Sequence, residues 1–198
     1  MGKIPKGKIY RGAYPVFKID PERDEAYSQL VSEAGIKRIA SLAPWYDALL
    51  KKNNVIGLDI QFDFDFENKF EKDIFNYRLR KGFQLLTAHE GPYLIQCNAG
   101  RDRTGFVAAI IELLCGANID EIICDYLLSY GIEFAATKNE LNFITGQIIY
   151  GQINAIVKGK IKDSDNLQAN IEKYFLDDIG LTGKEVTELK RVLIGFGH

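Results

Sequence analysis

The chain has 198 residues, 46% of them hydrophobic and 26% charged, with a formal net charge of −2. That length and balance suit one globular domain spanning residues 1–198 around one substantial core. The near-neutral charge excludes a nucleic-acid coat and a general polybasic membrane anchor, so any preference for an anion must be local.

Residues 1 to 8 (MGKIPKGK) are polar and basic, without the apolar stretch of an export signal, and Lys6 stands where a myristoylation motif needs serine or threonine. Asp20-Pro21 caps and opens a helix to about Ala34, stopped by Gly35. Lys37 to Leu42 reads as a buried strand and Asn54 to Phe66 as another. Within Leu58–Glu67 the even-numbered residues are apolar and the odd-numbered polar, the period of a strand with one buried face. A helix is predicted over about Asn68 to His89. Gly91-Pro92 then turns the chain into a short buried strand ending at Gln96, and Phe106 to Leu114, apolar on nearly every side, predicts a buried helix stopped at Cys115-Gly116. Asn118 to Glu121 has capping-box spacing before a helix through Ser129. Gly131 to Gln168 carries apolar residues at helical spacing, Lys158 to Asn166 reads as a surface loop, and Thr182 to Glu185 repeats the capping-box spacing before a last helix. Strands alternating with helices predict an α/β fold, a mainly parallel central sheet with helices on both faces and the site at a strand's carboxyl end. No run approaches the 18 apolar residues of a membrane span. Three cysteines without C-x-x-C spacing suggest neither a disulfide framework nor a zinc site, which fits a reducing, cytoplasmic compartment.

The most informative segment is Cys97-Asn98-Ala99-Gly100-Arg101-Asp102-Arg103-Thr104-Gly105. A thiol and a guanidinium six positions apart flank a glycine-containing loop between a strand and a helix N-terminus. The loop amides are free to point inward at an anion, and such a nest holds phosphate without a metal. An unperturbed thiol of pKa ~8.5 is only about 3% ionised at pH 7, so a nucleophilic Cys97 needs its pKa lowered by roughly 2.5 units. A helix N-terminus supplies at most ~2 kcal/mol of the ~3.4 kcal/mol required. Loop amides, the Thr104 hydroxyl and the charge of Arg103 must supply the rest, and Arg103 can fork two N–H groups onto phosphoryl oxygens.

This loop resembles the cysteine-x5-arginine signature of protein tyrosine and dual-specificity phosphatases. Its wording, NAGRDRTG, is similar to the AGKDRTG of a bacterial tyrosine phosphatase branch that includes phosphoinositide-active enzymes. Ile9-Tyr10-Arg11-Gly12-Ala13 resembles that branch's early "YRS" strand, Asp125-Tyr126-Leu127-Leu128-Ser129 its "DYLLS" helix, and Ile179-Gly180-Leu181-Thr182 its late "GLT" segment. The resemblance implies that Cys97 attacks phosphorus in line, Arg103 holds the phosphoryl oxygens and Thr104 stabilises the departing thiolate. It implies that the main-chain amides of Asn98, Ala99, Gly100, Arg101, Asp102 and Arg103 cradle the substrate, and that no cofactor or metal is needed. The substrates would be phosphotyrosine or other phosphoproteins, or phosphoinositides and inositol phosphates, with no nucleic acid and no integral membrane segment involved.

The leaving oxygen needs a proton, which a carboxylic acid close to it can supply. Asp65, 32 residues before Cys97, has a separation similar to that in compact dual-specificity phosphatases, Asp63 is its neighbour, and Asp102 matches the aspartate given this role in the AGKDRTG branch. Arg101 sits where lipid-directed relatives carry lysine, and Lys69 and Lys72 would extend a basic wall if they face the site. Arg11 is read as a buried ion-pair partner, His89 as a surface residue near a helix end, and Cys115 and Cys124 as packing residues. One departure stands out. The family has histidine just before the cysteine where this chain has Gln96, whose amide would hydrogen-bond loop carbonyls. That departure motivates the alternative of a pseudophosphatase that binds a phosphorylated partner without turnover. A sulfur- or arsenate-handling enzyme is a third option.

Overall fold

The structure, a computed structural model, describes residues 4–14, 20–43, 55–57, 69–130, 139, 142, 145–159 and 166–195. Within them β1 (Ile9–Ala13), β2 (Arg38–Ser41), β3 (Val55–Gly57) and β4 (Tyr93–Cys97) form one parallel sheet in the order β1-β4-β2-β3. Ala13 lies beside Cys97 and Ser41 beside Gln96, so β4 has a partner on both edges and all five of its residues are buried. A parallel strand enclosed in this way reads as a continuous apolar run, which is why YLIQC carries no alternation.

Alternation of side chains along β4 nevertheless divides the protein into two layers. Leu94 packs with Ile39 and Val31 under α1 (Pro21–Glu33), with Tyr10, Tyr27 and Ile36 at the margin. Tyr93, Ile95 and Cys97 face the larger core, built with α2 (Lys69–Ala88), α3 (Asp102–Leu114), α4 (Ile119–Leu128), α5 (Leu167–Asp177) and α6 (Gly183–Ile194). Phe75 of α2 meets Phe106 of α3 at 5.7 Å between ring centres, and Phe83 meets Phe175 of α5 at 5.0 Å. Each such ring contributes ~1.5–3 kcal/mol by leaving water. Helices therefore cover both faces of a small parallel sheet, as the α/β reading expects.

Local signals account for most helix ends. The Asp20 carboxylate accepts from the Arg23 amide at 3.1 Å with Pro21 in the first turn, and both capping boxes form, Asn118 with Glu121 and Thr182 with Glu185. Two elements differ from expectation. Helix α3 starts at Asp102 instead of Phe106, which brings Asp102, Arg103 and Thr104 into its first turn. Helix α5 was not foreseen, although its buried Leu167, Ile171, Tyr174 and Phe175 have helical spacing. In the region predicted as further helices, Thr145–Ile153 is π-helical and runs into one α-helical turn, Asn154–Ile156. Among the described residues no helix is long and apolar enough to cross a membrane.

Candidate active site

The segment from Cys97 to Thr104 leaves the carboxyl end of β4 and enters α3, and bonds on both sides fix where it starts. The Tyr14 amide donates to the Cys97 carbonyl at 2.8 Å, and the Leu42 amide to the Gln96 carbonyl at 2.7 Å. Gly100 turns the loop with φ +68°. A β-carbon there would stand 2.7 Å from the Gly12 oxygen and 2.8 Å from its carbonyl carbon, so the loop lies directly on the β1 backbone. Arg101, the N-cap of α3, places no side chain on the first-turn amides. Those donors are free to face an anion.

Cys97 is buried at this floor. Burial pushes its thiol up and is the largest single influence, but the Thr104 hydroxyl and the amides of Thr104, Ala99 and Gly100 together outweigh it, and the net shift is downward. Among the described residues no partner meets full hydrogen-bond geometry at the buried Thr104 Oγ1. Its effect on the sulfur is that of a hydroxyl close by, able to donate more fully once the thiolate forms. Arg103 is half-buried, and its Nη1 donates to the Leu42 carbonyl at 3.2 Å, which ties the guanidinium to the end of β2. A lowered thiol, inward amides and a tethered guanidinium make a site that can both hold and attack a phosphoryl group.

Asp102 is held from α4. Its Oδ1 accepts the Tyr130 hydroxyl at 2.7 Å and the Tyr126 hydroxyl at 3.4 Å, while Oδ2 carries no hydrogen bond among the described residues. The Tyr126 ring edge lies against Gly105, where a β-carbon would stand 2.3 Å from it. Arg101 is exposed, and its guanidinium lies 5.0 Å from the centre of the Tyr130 ring. Tyr130, which lies just beyond the Ser129 C-cap of α4 and four positions after Tyr126, was not singled out from the sequence.

Beneath the loop, Arg11 of β1 pairs through Nη1 with the Asp125 carboxylate and also reaches the Asp125 carbonyl at 3.3 Å, the structural ion pair expected of it. Nearby on α3, Glu112 is buried with Oε2 unpartnered among the described residues. Burial pushes its carboxyl up to about 7 against the opposing pull of Arg11. Both residues line a cavity of about 540 Å³.

Several sequence expectations meet a different arrangement. Gln96 does not bond loop carbonyls: its Oε1 accepts the Tyr27 hydroxyl at 2.6 Å and its Nε2 has no partner among the described residues. The cause is strand alternation, which turns residue 96 toward α1 and away from the loop that begins at Cys97. Lys72 does not join a basic wall, because its Nζ pairs with Asp178 at 3.0 Å. His89 is half-buried, with Nδ1 3.4 Å from Arg38 Nη2. Cys115 packs in the core as expected, its thiol pushed up to about 12 by burial, whereas Cys124, also expected to pack, is exposed. Asp63, Asp65 and the Lys69 side chain lie outside the described residues. Among those described, no group of three or more histidine, cysteine, aspartate or glutamate side chains is placed to hold a metal ion.

No curated protein matches the chain closely enough to serve as a relative. Residues 57–195, more than two thirds of the chain and including the whole loop with the helices that brace it, match the family model described as the tyrosine phosphatase family, and the chain therefore belongs to that family.

Proposed function

We propose that this protein is a cysteine-dependent phosphate monoester hydrolase, built as one domain, that works through a cysteinyl-phosphate intermediate. The observation that carries the reading is the downward shift of the Cys97 thiol in spite of its burial, produced by the same amides and hydroxyl that would face a bound phosphate.

In this reading the Cys97 thiolate attacks phosphorus in line, forming the S–P bond as the ester P–O bond breaks. Arg103 and the loop amides spread over the equatorial oxygens, where charge builds up. Asp102 gives its proton to the departing oxygen. The two tyrosine hydroxyls on Oδ1 support that role because they orient the carboxyl and leave Oδ2 free to carry and deliver the proton. Water then attacks phosphorus, the S–P bond breaks, phosphate leaves, and Thr104 donates to the returning thiolate. The substrates are phosphotyrosine or phosphoprotein, or phosphoinositide. The likeness of NAGRDRTG to the bacterial AGKDRTG loop supports including the lipid class, with Arg101 at the lip as a second cation.

The test is multiple turnover of p-nitrophenyl phosphate with EDTA present. We expect turnover by the parent protein, none by Cys97→Ser with tungstate binding retained, and loss of both rate and tungstate affinity in Arg103→Lys. Turnover surviving in Cys97→Ser overturns the mechanism. Tungstate binding by a parent protein that never turns over substrate favours a phosphate-recognition module instead. Asp65→Asn compared with Asp102→Asn decides the proton donor.

A further inference from the structure

Tyr130 is the point where the two charged groups on the outer side of the loop meet one side chain. Its hydroxyl donates to Asp102 Oδ1 at 2.7 Å, and its ring face receives the Arg101 guanidinium at 5.0 Å. The residue itself is well mounted. It follows the Ser129 C-cap of α4, its amide donates to the Leu127 carbonyl at 3.0 Å, and its ring packs against Tyr126 at 5.6 Å between centres. Tyr126 is buried, and α4 is tied back to β1 through Asp125 and Arg11. The ring is therefore a fixed platform, whereas Arg101 is a long exposed side chain that would otherwise sample many rotamers.

We propose that Tyr130 is a positioning residue that sets both proton delivery and substrate choice, its hydroxyl orienting Asp102 and its ring aiming Arg101 at a second phosphate on the substrate. This rests on reading the loop as a phosphate site. The two functions reside in different atoms and are separable. Removing the hydroxyl frees the carboxyl to rotate and slows only those reactions whose leaving group needs a proton. Removing the ring as well releases Arg101 and weakens only those ligands that carry a phosphate beyond the one in the loop.

The experiment uses Tyr130→Phe and Tyr130→Leu, with Arg101→Ala and Asp102→Asn for comparison. In the kinetic arm, Tyr130→Phe is expected to lower kcat on phenyl phosphate, a poor leaving group, by about tenfold and on p-nitrophenyl phosphate by less than about threefold, with KM unchanged. Asp102→Asn should show the same bias more strongly. In the binding arm, run in the Cys97→Ser protein, Tyr130→Leu should weaken inositol hexakisphosphate about fivefold and tungstate hardly at all. Tyr130→Phe should leave both affinities intact. Arg101→Ala should cost less inositol hexakisphosphate affinity in the Tyr130→Leu protein than in one that keeps Tyr130.

Equal slowing of both esters by Tyr130→Phe, or none, overturns the proton-delivery half. Equal weakening of both anions by Tyr130→Leu, or additivity of Tyr130→Leu with Arg101→Ala, overturns the substrate-choice half. Failure of the phosphatase reading looks different: the parent protein turns over neither ester. The bias between the two anions still decides the Arg101 half in that case, and the Asp102 half falls with the reaction.

Discussion

Replacing Gly100 by alanine tests whether the loop's fit against β1 holds the site together. Two separate costs arise there. An alanine at φ +68° sits in the left-handed region, costing ~1–2 kcal/mol. Its β-carbon would also lie 2.7 Å from the Gly12 oxygen and 3.0 Å from the Ala13 nitrogen. Those are backbone atoms of a paired strand, so the loop must lift instead, at ~1–3 kcal/mol. Gly35 is the natural control because its φ is +63° and, among the described residues and apart from its chain neighbours, no atom lies within 4 Å of a β-carbon built on it. Gly35→Ala carries the first cost alone. The difference of about 2 kcal/mol should appear as a melting temperature roughly 4–8 °C lower for Gly100→Ala than for Gly35→Ala in a domain of this size. A lifted loop misplaces Cys97 and Arg103 together, so kcat/KM on p-nitrophenyl phosphate should fall at least about tenfold in Gly100→Ala and stay within about twofold in Gly35→Ala. Equal melting temperatures, or an unaffected kcat/KM in Gly100→Ala, would refute the argument that close backbone approach is what requires glycine there.

Thr104→Val removes a hydroxyl that helps lower the Cys97 thiol, so the pH profile of iodoacetate alkylation should move to higher pH; an unmoved profile assigns the shift to the amides alone. Glu112, lifted by burial from 4.5 to about 7, gives a stability contribution that is fully present below its unfolded value and is lost as pH rises through about 7. Glu112→Gln should therefore gain on the parent protein by about 2.5 kcal/mol between pH 5 and pH 8 in urea unfolding, and a gap independent of pH would contradict the assignment. Tyr27→Phe leaves Gln96 Oε1 buried without its hydroxyl donor and should cost ~1–3 kcal/mol, part of it recovered when Gln96→Met is added; an unchanged midpoint in Tyr27→Phe would show that the bond contributes nothing net.

What could be read from the sequence and what could not differ by the distance over which the information acts. Asp20-Pro21, Asn118 with Glu121, and Thr182 with Glu185 are local signals, and each produces the helix start it announces. The α/β alternation and the loop between a strand and a helix are local as well. The start of α3 was misjudged because the first turn, Asp102-Arg103-Thr104, is polar, and periodicity registers a helix only where apolar residues begin. The partners of Gln96, Asp102 and Arg11 come from Tyr27, Tyr130 and Asp125, which are 69, 28 and 114 positions away in the chain. No spacing rule reaches that far. The same holds for Lys72, an exposed helical lysine by pattern that finds Asp178 beyond α5.

The position of β4 in the middle of the sheet also has a consequence for how the protein is made. Its outer neighbours are Ile9 to Ala13, which precede it by 84 positions, and Arg38 to Ser41, which precede it by 55. During synthesis β2 can pair with β3, but β1 has no strand beside it and the two halves of the sheet are not joined until Tyr93 to Cys97 has been translated; Asp125, Tyr126 and Tyr130, which brace β1 and the loop, emerge later still. Closing such long loops delays folding. A nascent chain shorter than about 130 residues therefore carries the Cys97-to-Arg103 loop without the contacts that Tyr126 and Tyr130 make to Asp102 and Asp125 makes to Arg11, and the loop's surroundings are completed only as the core closes around it.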